Sequence, residues 1–110
     1  MRNSKLLAML AIVAIITFSI SLSAAANAKE GEATFKAKCA MCHGQDGGGA
    51  TAMGKTLKVR DLRSSEVQAQ SDAELTTIIT KGKNKMPAFG EPLGKDKIAD
   101  VVAYIRTIKK

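Results

Sequence analysis

Cys39-Ala40-Met41-Cys42-His43 is the stretch that decides how this chain is read. Both cysteines and the only histidine of a 110-residue sequence fall within these five positions. A Cys-x-x-Cys-His run suits covalent attachment of haem. Each thiol can add to one of the two vinyl groups on one edge of the porphyrin. The adjoining imidazole is then held against one face of the iron, with much of its ordering entropy already lost to the thioethers. Haem iron accepts a histidine nitrogen as its proximal ligand. Three rival chemistries fit less well. A thioredoxin-like pair needs a βαβ setting, and no alternating strand pattern occurs. A structural zinc needs a second ligand pair that the sequence lacks. A plain disulfide leaves His43 without a role.

Upstream of the motif lies a leader. Arg2 and Lys5 give a basic start, Leu6 to Ile16 is an unbroken apolar run, and Ala26-Asn27-Ala28 fits the small-x-small pattern of signal-peptide cleavage. Residues 1–28 are therefore expected to be a cleaved signal peptide, and 29–110 the functional domain. The competing reading is an uncleaved anchor. The apolar stretch is short for a bilayer span and diluted by hydroxyl residues, which favours cleavage. Either way the domain is exported, to the periplasm. With three aromatic residues, Phe35, Phe89 and Tyr104, and no tryptophan, it is too poor in large apolar side chains to look self-sufficient. A domain this small commonly needs a staple or cofactor at its centre.

Downstream, the periodicity is helical throughout. Lys29 to Ala40 reads as a first helix with acids in its opening turn. Gly44 to Gly54 holds five glycines and reads as a loop, and Thr56 to Leu62 as extended or a single turn. Ser64 to Gln70 is a candidate short helix. Ser71 and Glu74 form a capping box ahead of Leu75, Ile78 and Ile79, with Gly82 placed to stop that helix. Lys83 to Gly94 contains both prolines and reads as irregular. Ile98, Val101, Val102, Ile105 and Ile108 then trace one face of a closing helix from Lys95 to Lys109.

A second iron ligand decides what the haem can do. No other histidine remains, so the candidates are methionine, lysine or an open site. Met41 lies inside the attachment segment, and Met53 only ten residues beyond His43 in the Gly-rich stretch. Met86 follows a helix that could cross to the far face, and Pro87 keeps it in extended backbone. Its ordinary alternative is to fill core.

These residues together resemble the small bacterial class I cytochromes c over essentially all of 29–110. The marks are Gly31 and Phe35 ahead of Cys39-x-x-Cys42-His43, then Lys85-Met86-Pro87-Ala88-Phe89, then Val102-Ala103-Tyr104-Ile105. The resemblance implies an all-α class I cytochrome c fold, about three to five helices wrapped round one covalently bound haem c. Its first and last helices cross, with Gly31 allowing close approach and Phe35 and Tyr104 packing there. It also implies that His43 and Met86 are the proximal and distal axial iron ligands, with Cys39 and Cys42 as thioether attachments. Leu57, Leu62, Ile79 and Phe89 are candidates to line the haem, and Arg60, Lys55 or Arg63 to meet its propionates. Many family members place a proline after the histidine, whose carbonyl accepts the imidazole Nδ1 proton. None occurs here between Gly44 and Met86, so a carbonyl of the Gly-rich loop is expected instead.

With both axial positions filled, iron cannot take a substrate without losing a ligand, which leaves one-electron cycling. A thioether ligand raises the reduction potential, and burial acts in the same direction. The expected function is an electron carrier between membrane redox complexes, not an enzyme. Two alternatives stand beside it: a haem sensor or peroxidase-like protein with a displaceable Met86, and a membrane-anchored cytochrome subunit of a respiratory complex. The net charge of +7, with Lys81, Lys83 and Lys85 leading into Met86, fits redox partners with acidic docking surfaces. Nucleic acid is an unsuitable partner, because no basic helix or aromatic stacking platform is present. Membrane contact is expected only through partners or an uncleaved leader, and the chain is expected to be a monomer.

Overall fold

Residues 25–110 are described by a computed structural model, and residues 1–24 of the expected leader lie outside the described residues. Six helices follow in order: α1 (Ala28–Lys38), α2 (Ala40–His43), α3 (Ala52–Leu57), α4 (Ser65–Gln68), α5 (Asp72–Lys81) and α6 (Gly90–Thr107). The only β-type pairing among the described residues is an isolated bridge between Lys83 and Met86. The all-helical expectation holds. Among the described residues the helix count passes five because the first predicted helix is broken at Cys39 and resumes as α2, and because α3 forms partly within the stretch read as loop.

Local chemistry explains the boundaries. Asn27 caps α1, its side chain accepting from the amides of Lys29 and Glu30, while Lys36 and Lys38 sit in the last turn. This matches the helix dipole at both ends. The capping box at α5 forms as the sequence indicates, with Glu74 N donating to Ser71 Oγ at 3.1 Å and Ser71 N to Glu74 Oε2 at 3.0 Å. Ser64 caps α4 through Val67 N.

Two segments differ from expectation. The Gly-rich stretch is not all loop, since α3 begins at Ala52 and continues through Leu57. Thr51 is the reason: its hydroxyl accepts from Gly54 N at 2.8 Å and donates to the Cys42 carbonyl at 2.9 Å. It thus caps α3 and ties it to α2. The segment Lys83–Gly94 is likewise irregular only as far as Phe89, for Gly90–Leu93 forms a helical turn. Pro92 fits there because a first-turn amide would lack an intrahelical partner anyway. Gly94, at φ 76° and ψ 167°, then breaks the helical path, so the long regular run starts near Lys95 as predicted.

Helices α1 and α6 cross, and α5 packs beside α6. The buried core comprises Phe35, Ala40, Val67, Leu75, Ile79, Ile98, Val101, Val102, Tyr104 and Ile105. Half of these lie on α6, each worth about 1.5–3 kcal/mol of apolar burial if large, so that helix dominates the packing. At the crossing, the Phe35 and Tyr104 rings sit 5.2 Å apart in a tilted arrangement. Gly31 backs directly onto the Asp100 carbonyl, where an added Cβ would clash with main-chain atoms. The segment Ser64–Gln70, which carries no functional signal in the sequence, proves to be a clamp. Gln68 Nε2 donates to the carbonyls of Leu62 and Ile105, both at 2.9 Å. Arg106 donates to the carbonyls of Gln68 and Gln70 and pairs with Asp72 at 2.9 Å. Together these fasten α4 and the start of α5 to the end of α6.

Candidate haem site

The attachment segment is presented by the α1–α2 junction. The main chain keeps a helical path through it, with His43 N donating to the Cys39 carbonyl at 3.0 Å and Gly44 N to that of Ala40 at 2.8 Å. Both cysteines are free and half-buried. Burial pushes the Cys39 thiol up to about 11, with the neighbouring Cys42 adding to the shift, so it is a neutral thiol near neutral pH. Burial moves His43 the other way, below its ordinary value. The imidazole is therefore neutral at pH 7, and a neutral imidazole has a lone pair to give to a metal.

The Gly-rich loop folds back on this junction, but onto its main chain. Gly49 N donates to the His43 carbonyl at 2.7 Å, and Thr51 holds the Cys42 carbonyl. The expected loop carbonyl for the imidazole is not engaged: His43 Nδ1 is buried with no hydrogen-bond partner. The loop's carbonyls turn to other amides, Gly44 O to Gly47 N and Gly47 O to Leu62 N. A buried imidazole nitrogen without a partner is a costly feature for a small domain unless the ring serves a purpose.

Gly82 caps α5, and the chain makes a tight turn into Met86. Lys83 N donates to the Met86 carbonyl at 3.1 Å, and Met86 N to that of Lys83 at 2.9 Å. Asn84 takes the left-handed conformation inside this turn, which asparagine tolerates better than most residues. Gly82, at φ 76°, passes so close that an added Cβ would lie 2.5 Å from the Met86 carbonyl oxygen. Phe89 N then reaches back to the Ile79 carbonyl at 2.9 Å. The result is a short strap pinned at both ends, with Met86 at its middle.

The three methionines of the domain are placed very differently. Met41 is 77% exposed and Met53 46% exposed, whereas Met86 is half-buried and packs against the core. Cys39, Leu62 and Phe89 pack against the same cluster. Ile79 belongs to the core itself, and Leu57 is half-buried on α3 without joining that packing. Of the propionate candidates, Arg63 is held by Asp61 at 2.9 Å and Asp46 at 3.2 Å, while Arg60 and Lys55 are exposed. Arg63 holds the Asp61 carboxyl well below the usual carboxylate range, with Lys110 contributing. Leu93 and Ile108 also pack on the core. Ile108 lies on the predicted face, but Leu93 sits in a turn whose helicity no periodicity reveals.

Two free thiols suit attachment to a porphyrin edge, and a neutral imidazole and a half-buried thioether are donors of the kind that haem iron accepts. A family model described as cytochrome C oxidase, cbb3-type, subunit III matches residues 26–105. Cytochrome c6 from Gracilaria tenuistipitata var. liui is 38% identical over 100 residues, covering 91% of this chain and 90% of that protein. Cytochrome c6 from Nostoc sp. (strain PCC 7120 / SAG 25.82 / UTEX 2576) is 40% identical over 95 residues, covering 84% and 82%. The chain is a small class I c-type cytochrome. A solved structure, the KustC0563 c-type cytochrome, superposes on this cytochrome with a TM-score of 0.68 at 32% identity, covering 73% of this chain and 98% of that one. The cytochrome's cofactor is one covalently bound haem c, and its work is electron transfer rather than enzymatic turnover. Relatives that match nearly end to end do not favour the sensor, peroxidase-like or membrane-anchored readings. Among the described residues, no helix is long and apolar enough to cross a membrane.

Proposed function

We propose that this cytochrome is exported to the periplasm, loses its leader, and shuttles single electrons as a monomer between redox partner proteins. In this reading Cys39 and Cys42 would anchor the porphyrin through thioether bonds, and His43 and Met86 would hold its iron. Bound haem supplies a reversible one-electron couple. The chain's own residues do the rest. The α1–α2 junction presents two thiols and an imidazole from one helical path, so the imidazole needs little further ordering. Gly82 and the Lys83–Met86 turn hold the thioether on a pinned strap. Leu62 and Phe89, packed on the same core, would help to restrict water around the bound group, which disfavours the more highly charged oxidised state.

The observation that carries the ligand assignment is the contrast among methionines, with Met86 half-buried on its strap while Met41 and Met53 face solvent. Optical spectroscopy tests it. The oxidised protein should show a methionine–iron charge-transfer band, and the reduced protein should not bind carbon monoxide rapidly. Met86→Ala should keep the haem attached, remove the band, admit carbon monoxide and lower the reduction potential by on the order of 100 mV, within the ~0.8 V that axial ligands span. Unchanged ligation in that variant would move the assignment to Met53 or a lysine.

Charge supports the partner class. Lys81, Lys83 and Lys85 are exposed beside the Met86 turn, and none is ion-paired among the described residues. A basic patch next to the redox centre would steer the protein onto acidic surfaces. Bimolecular electron-transfer rates with an acidic protein partner should fall several-fold between about 10 mM and 150 mM salt, as the Debye length contracts from roughly 30 to 8 Å. Replacing the three lysines with glutamine should flatten that dependence; a slope left intact would place docking elsewhere.

A further inference from the structure

The leader contains two overlapping small-x-small frames. Ala26-Asn27-Ala28 would free a chain starting at Lys29, whereas Ala24-Ala25-Ala26 would free one starting at Asn27. Sequence alone does not separate them. The contacts of Asn27 favour the second. Its side-chain oxygen accepts from Lys29 N at 3.0 Å and Glu30 N at 3.3 Å, its carbonyl accepts from Gly31 N at 2.9 Å, and its own nitrogen donates to Asp100 Oδ1 at 2.7 Å. This one residue satisfies three amides at the start of α1 and links that start to α6.

We infer that processing hydrolyses the Ala26–Asn27 bond, so that Asn27 is the first residue of the mature cytochrome and its α-ammonium pairs with Asp100. The inference rests on the export reading proposed above. A leader peptidase would supply the catalysis and water the co-reactant. The C–N bond between Ala26 and Asn27 breaks, the hydroxyl joins the Ala26 acyl carbon, and the proton goes to the Asn27 nitrogen. That nitrogen takes a further proton from solvent near neutral pH. The hydrogen bond already present at 2.7 Å thereby becomes charge-assisted, the stronger kind.

The electrostatics favour this boundary. A positive amino terminus at a helix start opposes the helix dipole, and the Asp100 carboxylate offsets it at Asn27. Cleavage after Ala28 would instead remove the cap, leave the Lys29 and Glu30 amides without their acceptor, and strip Asp100 of its partner. It would also put the new ammonium inside the first turn of α1.

Amino-terminal sequencing, together with the intact mass of holo-protein recovered from an exporting host that attaches haem, reads the boundary directly. The expected first residue is Asn27. A start at Lys29, or at any other position past Met1, overturns the inference while leaving export intact. A membrane-bound chain still beginning at Met1 overturns the proposed loss of the leader, and this inference with it. Two variants sharpen the result, because each spoils one frame only. Ala24→Leu should cut the Asn27-starting fraction by about tenfold or more, since a large residue is excluded there. Ala28→Leu should leave the Asn27 start unchanged; a block or shift in that variant would assign cleavage to the later frame.

Discussion

Replacing His43 with alanine should abolish stable holo-protein. Expressed in a host that matures c-type cytochromes, the variant should be recovered at under about a tenth of the wild-type yield, lacking a cooperative thermal transition by circular dichroism. Among the described residues ten apolar side chains are buried; one is an alanine, and two, Phe35 and Tyr104, are aromatics at the helix crossing. Phe35, fully buried at the crossing, lies 6.4 Å ring-to-ring from His43, so the imidazole joins the α1–α6 core to the site. A domain of this length has little reserve of apolar burial. Ligand binding that occurs only in the folded state adds directly to folding stability, and loss of the proximal nitrogen removes that contribution. Alanine also leaves a cavity beside Phe35. Recovery of a red, cooperatively melting His43→Ala protein at normal yield would show that another residue anchors the iron and that the fold does not depend on it.

The parts of this molecule that were legible in its sequence are those whose chemistry is local. Cysteines three apart and a following histidine declare their use without any tertiary knowledge, because one helical turn brings them together. The capping box Ser71/Glu74 and the face from Ile98 to Ile105 are likewise set by residues within a few positions of one another. Helix α3 was hidden because its cap, Thr51, sits among glycines whose composition argues for loop, and because half of its anchorage is the Cys42 carbonyl nine residues away. The Gln68–Arg106 clamp spans 38 residues and leaves no periodic trace. Met86 stands between these cases. Its neighbour Pro87 marks extended backbone, yet the feature that separates it from Met53 is burial, which appears only once α5 and the Gly82 turn have set the strap against the core. The unpartnered Nδ1 of His43 could not be foreseen at all, since it depends on which loop carbonyls other amides have already taken.

The crossing of α1 and α6 supplies the second large effect. Gly31→Val should destabilise the holo-protein by about 3 kcal/mol or more, a large share of the roughly 5–15 kcal/mol that holds a typical domain folded. A Cβ at Gly31 would fall inside contact distance of the Asp100 carbonyl oxygen and carbon and within 2.9 Å of Val101 N. All three are main-chain atoms of a helix, so no rotamer change can clear them, and the helices must separate. Separation loosens Phe35 against Tyr104 and Val101, and it also pulls Asn27 away from Asp100 on the same face. In a domain of this size each 1 kcal/mol corresponds to about 4–8 °C in midpoint, so thermal unfolding followed at the haem band should show a drop of tens of degrees. Ala33→Val is the matched control: it places the same β-branched side chain on an exposed position of α1, and should cost only the few tenths of a kcal/mol due to helix propensity. If Gly31→Val melted within a few degrees of Ala33→Val, the two helices would have room to spare, and close backbone approach would not be what sets the angle at which this cytochrome holds its attachment helix.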